Sequence, residues 1–580
     1  MATKKRSTPD VYRTEKDISN TVVPVSTSIG AVVVRSKKGP INRPVIITSD
    51  SDYVDIFGEP VFTSGNATDA TIPEMGYGQY AAIRYARESD AVYVLRDYDT
   101  GDTYSYLEFE SNGSTSATET SGVQATSNPD SIPDEVDSIY TLDEAITTGS
   151  SLLVGAIGPG TDGNNIAITV ETFNSACDWI NLYDDYSVSV ESSAHPIASK
   201  VFKIQVFTKK DSEDWDEIAF SAISASPVET FYGTRTSQKD ANNQQLRIED
   251  VINGNSNYIY VVAGTADFTE AGTLATTPSS VSKLLGGSVV YGTNLGSTDG
   301  WDYFSSRERT SQNIMIVPDY DMTVKKYVAN ICATRKDCIC TLQSGNVSAT
   351  SVDRVKSAET YGYTNPSYVA LYSGWDKFYD NYNDRFVLIP KAIYGAVLMA
   401  RTDAVANTWD APAGVNRGIL DSNGQNIQWT STQVGQLYDA NINTSINKRG
   451  IGDVMLGQKT AQLKASALDR INVRRLLIFI ENTLEQAYLS FLFEPNNSAT
   501  RLRLKNISDS FLEGVSAGGG FNTDNDAGFL VVCDETKNTA QVIDENKLVV
   551  QVFVKPSKTA EFIELETIIT NSGVSFNELI

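Results

Sequence analysis

Short apolar runs and helical spacings alternate along much of the chain. Ile29-Gly-Ala-Val-Val-Val34 and Pro44-Val-Ile-Ile-Thr48, each bounded by Gly, Pro or Asp, read as strands. Tyr77 to Glu88 spaces Tyr80, Ile83, Ala86 and Ala81, Tyr85 as a helix does, and Ala91-Val-Tyr-Val-Leu95 predicts the next strand. The rhythm returns in Ile314-Met-Ile-Val317, a helical stretch from Val324 to Cys332, Cys338-Ile-Cys-Thr-Leu342, a helix near Ser351, and Tyr368-Val-Ala-Leu-Tyr372. Near-continuous apolar strands alternating with helices imply a parallel sheet covered on both faces. Residues 29–97 and 309–424 are therefore expected to form one central α/β domain.

Between these stretches, residues 98–308 shift to Ser, Thr, Gly and Asn, as in Ser111-Asn-Gly-Ser-Thr-Ser-Ala-Thr-Glu-Thr-Ser-Gly122. Strand patterns persist at Ile166–Val170, Val201–Phe207 and Tyr258–Val262, which predicts a mostly β outer insertion of one or two subdomains. Residues 1–28 carry too few apolar residues to fold alone and read as an arm. From 425 to 580 an α+β domain is expected, with one amphipathic helix over Asn472 to Glu494, ended by Pro495. Its strands are Phe529–Cys533, Leu548–Val554 and Phe562–Glu566. The fold class is thus multidomain α/β and α+β.

Length and charge narrow the picture. At 580 residues, with 41% apolar and 21% charged positions, the chain suits several folded domains rather than a disordered or fibrous one. Its net charge of −25 has the wrong sign for a nucleic-acid partner. No run approaches a membrane span, and Met1 to Asp10 leads into no apolar stretch, so synthesis in a cytoplasm without membrane insertion is expected. Cys177, Cys332, Cys338, Cys340 and Cys533 lack CxxC spacing and read as buried thiols rather than metal ligands or redox centres.

Catalytic chemistry finds little support. The one histidine, His195, lies in the turn-like Ser-Ser-Ala-His-Pro, and a Ser-His-Asp hydrolase would have to be built around it. Gly452-Asp-Val-Met-Leu-Gly457-Gln-Lys-Thr460 resembles a phosphate loop, but Gln458 displaces the lysine. Gly158-Pro-Gly160-Thr-Asp-Gly163 satisfies GxGxxG, yet a strand pattern follows where a dinucleotide site needs a helix. Neither catalytic nor metal residues, nor a cofactor, are expected.

Charge placement says more. From Lys448 to Arg475 there are seven basic residues, Lys448, Arg449, Lys459, Lys464, Arg470, Arg474 and Arg475, against Asp453 and Asp469. This local +5 leaves −30 elsewhere and marks either a solvated helix face or a docking surface for an acidic partner. The alternation around Phe562 sets Ile563, Leu565 and Ile569 on one face of an edge strand. With Val11, Tyr12, Ile18, Val22 and Val23 of the arm, it suggests strand exchange between subunits.

An ordered series of motifs resembles the sheath proteins of contractile phage tails and related injection machines. It runs through Val11-Tyr-Arg-Thr-Glu15, Gly39-Pro40, Phe57-Gly58, Asp250-Val-Ile-Asn253, Ala396-Val-Leu-Met-Ala-Arg-Thr-Asp403 and Trp409-Asp-Ala-Pro412. The most specific part is Ile471-Asn-Val-Arg-Arg-Leu476, Phe493-Glu-Pro-Asn496 and Val532-Cys-Asp-Glu-Thr-Lys-Asn-Thr539. Departures occur at Asp10, where the family has Gly, and at Gly457-Gln-Lys-Thr460, where it has Gly-x-Arg-Thr.

The resemblance implies a non-enzymatic subunit of hexameric rings, stacked helically around a tail tube and contracting to drive that tube through an envelope. It implies a subtilisin-like, non-catalytic central domain and a C-terminal inner domain completed by strands from neighbouring subunits. Implied partners are the chain itself, the tail tube protein, and the baseplate and tail terminator proteins, in a virion tail assembled in the host cytoplasm. The seven basic residues become tube-facing candidates. Two alternatives remain open: the sheath of a bacteriocin or injection device, and an α/β serine hydrolase.

Overall fold

A computed structural model describes residues 26–41, 43–61, 73, 75–98, 102–110, 115–116, 123–124, 150–172, 201–210, 213–223, 226–234, 247–253, 255–263, 281–288, 298–357 and 362–561. They divide into two compact units. The larger spans 27–406 and 412–474, and the smaller contains 407–411 and the chain from Arg475 onward.

The larger unit is organised by a seven-stranded sheet. β1 (Ile29–Val34) sits inside it, with β3 (Ala91–Arg96) and then β2 (Val45–Ile47) on one side. On the other side follow Ile314–Val317, Ile339–Ser344, Val369–Ser373 and Ile442–Asn443. Every pairing is parallel except that of β2 with β3. Ile314–Val317 and Ile339–Ser344 are buried at every position; the first reads as an unbroken apolar run, while the second also buries Thr341, Gln343 and Ser344.

Helices cover both faces. Cys332 of helix Met322–Arg335 puts its sulfur 3.5 Å from Met315, whose register partner is Cys340. Gln343, three positions further along the same strand, instead accepts from the Ala392 amide of helix Lys391–Val405. Side chains an odd number of positions apart leave a strand on opposite faces, so these helices lie on opposite sides of the sheet. The edge strand Ile442–Asn443 comes from beyond residue 424, and the larger unit runs on to Arg474.

The insertion holds two four-stranded sheets. One runs Glu229–Thr234, Val201–Thr208, Ile166–Thr172, Ser282–Lys283, and the other Ile259–Ala263, Ser150–Ala156, Tyr106–Glu110, Thr115–Ser116. Leu152, Val154, Ile168, Ile204, Val206 and Val261 share one buried core between them. The glycine motif joins insertion to central sheet. A Cβ at Gly158 would stand 2.0 Å from the Gly39 oxygen, and one at Gly160 (φ +141) 2.0 Å from that of Lys37. Arg96, fully buried at the end of β3, donates to the carbonyls of Gly39 (2.8 Å) and Pro159.

Asp319, just past Ile314–Val317, has its carboxyl pushed up to about 6, chiefly by burial, with Asp321 adding to the rise and Lys325 opposing it. An acid that ionises less readily folded than unfolded lowers stability as pH rises from its unfolded value of 3.8 through 6. Asp319→Asn should therefore raise stability by about 1–3 kcal/mol at pH 7–8. That gain should fade toward pH 4, as followed by urea unfolding at several pH values.

Candidate assembly surface

The smaller unit is built on two helices. Ile471–Tyr488, most of which belongs to it, turns Leu476, Ile480 and Leu484 inward against Leu512 and Val515 of Ser498–Ala517. The second helix is capped by Asn497, whose side chain accepts from the Thr500 amide at 2.9 Å. Trp409 packs against Phe479 and donates its indole N–H to the Gly518 carbonyl at 3.0 Å. The first helix ends six residues before the expected Glu494, and Leu489–Phe491 forms a 3-10 turn. The loop beyond it carries Phe493 at φ 68, fully exposed.

Phe529–Val532 and Gln551–Val554 pair antiparallel beside these helices. Among the described residues this sheet has two strands, marginal on its own in water. Its cross-strand pair Leu530 and Phe553 is more than half exposed. Next to it opens a groove of about 540 Å³ walled by Leu477, Ile480, Leu484 and Tyr488 on one side and Val550, Val552 and Val554 on the other. Leu489 and Leu492 also line it and stay 52% and 62% exposed, while Glu481 and Glu485 supply acidic positions. Contiguous exposed apolar surface of this kind marks interaction sites.

The basic candidates separate by environment. Lys448 and Arg449 are exposed at the tip of the hairpin Ser445–Lys448/Gly452–Met455, and Lys464 is exposed on the following loop. Lys459 and Arg470 are half-buried and converge on Tyr438. The Lys459 ammonium lies 3.8 Å from that ring's centroid and donates to the Tyr438 carbonyl at 2.9 Å. Arg470 pairs with Asp469 at 3.1 Å. Arg474 is buried over the Tyr368 ring, 4.2 Å from its centroid, and donates to Ser367 Oγ at 2.8 Å. Arg475 is buried as well. Of the seven, Lys448, Arg449 and Lys464 are the exposed ones. Val11, Tyr12, Ile18, Val22, Val23, Ile563, Leu565 and Ile569 lie outside the described residues, as do His195 and Cys177.

The weak catalytic motifs are architectural. Gly158–Gly163 runs through a turn into the short 3-10 segment Thr161–Asn165 and then a strand, so the motif does not open an α-helix. Gly457 packs against Asn443, which donates to the carbonyls of Leu371 (3.0 Å) and Lys459 (2.8 Å) and so ties the would-be phosphate loop to the sheet edge. Cys332, Cys338, Cys340 and Cys533 are free and buried. The Cys332 thiol is pushed well up, chiefly by burial, and that of Cys338 chiefly by its contact with Cys332.

No family model matches the chain. The tail sheath protein of Enterobacteria phage T4 is 32% identical over 371 residues, covering 60% of this chain and 54% of that protein. The tail sheath protein of Vibrio phage KVP40 is 32% identical over 377 residues, with the same coverage. The chain thus matches about half the length of these curated relatives. Among solved structures, a sheath tail protein of Listeria innocua superposes with a TM-score of 0.50 at 12% identity, covering 89% of this chain and 90% of that one. The fold is therefore that of a sheath tail protein. By sequence, the chain is similar to phage tail sheath proteins.

Proposed function

We propose that the chain is a structural subunit of a contractile tail sheath in a phage virion. Subunits form hexameric rings stacked around a tail tube, and their contraction drives the tube through the host envelope. The observation that carries this reading is the two-stranded sheet beside an apolar groove, a surface suited to receiving strands. The arm positions Val11, Tyr12, Ile18, Val22 and Val23 of one subunit, and Ile563, Leu565 and Ile569 of another, supply those strands. At about 1 kcal/mol net per hydrogen bond, a few such bonds keep subunits linked while their domains repack. The extended state is a kinetic trap released by that repacking, with no nucleotide consumed. The seven-stranded domain, subtilisin-like in fold, serves as a non-catalytic body, and the insertion faces outward.

Lys448, Arg449 and Lys464 face the tube in this scheme, with the baseplate and tail terminator at the two ends, and assembly takes place in the host cytoplasm. Negative-stain microscopy of the purified chain, alone and with tube protein, tests it. Hollow tubes or six-fold rings are expected. Changing these three residues to glutamine should weaken tube-dependent assembly at low salt and have less effect at high salt. A closed small oligomer with hydrolytic activity would overturn the proposal.

A further inference from the structure

The strands Trp375–Asp380 and Arg385–Pro390 form a hairpin in which Trp375 pairs with Pro390, and the helix Lys391–Val405 starts at the next residue. This register brings Asp376 and Lys391 together in the interior. Lys391 Nζ lies 3.4 Å from Asp376 Oδ1, and both side chains are completely buried. Neither carboxylate oxygen nor the ammonium nitrogen has a hydrogen-bond partner. Gly374 (φ +102) packs on the lysine, and a Cβ there would come within 3.0 Å of Nζ, so the lysine stem has little room to swing away.

Two charges sealed from water without supporting hydrogen bonds recover little of their desolvation cost. Joining them removes both charges. We propose that Lys391 and Asp376 become covalently linked in the folded protein by an isopeptide bond between Nζ and the Asp376 side-chain carbon Cγ.

The step needs no oxidant and no cofactor. A proton passes within the pair from the ammonium to the carboxylate, leaving a neutral amine beside a neutral acid. Burial favours that acid, pushing Asp376 up to about 6 against the opposing pull of Lys391. Nζ attacks Cγ, the N–C bond forms, and a tetrahedral centre results. The C–OH bond then breaks, and the hydroxyl leaves as water with a proton taken from the nitrogen. Asp453, which is buried and raises the Asp376 carboxyl electrostatically, has its own oxygens held by Ser422 (2.9 Å) and Asn447 (2.7 Å), so the proton moves within the pair itself. The fixed approach of the two groups supplies the high effective concentration that an uncatalysed condensation requires.

Peptide mapping of the purified full-length protein by mass spectrometry tests the link directly. Tryptic digestion should yield a branched peptide joining residues 357–377 to residues 386–401, one water lighter than the two together and uncut after Lys391. The Lys391→Arg variant keeps the charge but cannot form the amide, and it should return the linear peptides. Recovery of linear peptides from folded wild-type protein, with cleavage after Lys391, would overturn the proposal without bearing on the sheath reading.

Discussion

Replacing Arg96 by alanine should cost the larger unit about 3–5 kcal/mol, read by calorimetry as a lower melting temperature of its transition. The guanidinium holds the Gly39 and Pro159 carbonyls while feeling the buried carboxylate of Asp102. Burial pulls its pKa down to about 10 even so, with Asp102 opposing the fall. Removing it leaves two carbonyls without their donor at the joint between insertion and sheet, while Asp102 keeps Arg35 at 3.5 Å. Arg96→Lys should rescue only part of the loss, because a single ammonium cannot reproduce the planar fork that spans both carbonyls. Full rescue by lysine would show that charge alone matters at this position.

Changing both Leu489 and Leu492 to aspartate should abolish assembly into tubes or rings while leaving the monomer's melting temperature within a degree or two. Both side chains border the groove yet remain more than half exposed, so the folded subunit loses little from the change. A strand entering the groove, by contrast, would have to desolvate two carboxylates next to Glu481 and Glu485. Sedimentation velocity distinguishes the outcomes: continued assembly of the double variant would remove the groove from the interface.

The inner strands of the large sheet are legible in the sequence because burial on both faces writes them as apolar runs. Ile29–Val34 and Ile314–Val317 coincide with those runs. Ile442–Asn443 is not legible, since a two-residue edge strand ending in a buried asparagine has no pattern to display. Helix Lys391–Val405 escapes a periodicity search for the opposite reason: it is buried from Lys391 through Ala400 and has no polar face there to contrast with an apolar one. Helix Ser498–Ala517 mixes serine, threonine and arginine into its inner face, and its clearest signal is the Asn497 cap. The groove was half visible, since Val550, Val552 and Val554 alternate within a strand-like run. The basic segment was legible as charge, but the burial of Arg474 and Arg475 depends on how the chain folds around them.

The order of strands also bears on how the protein is made. β1 and β3 leave the ribosome early, but β1's other neighbour, Ile314–Val317, follows only after about 200 further residues. At synthesis rates of about 5–20 residues per second, that edge of β1 waits roughly 10–40 s for its partner. The insertion, which has a core of its own, can collapse during this interval. A ribosome stalled between the two halves would thus expose a short parallel sheet edge beside a finished outer domain, the point in the chain's life where a chaperone has most to protect.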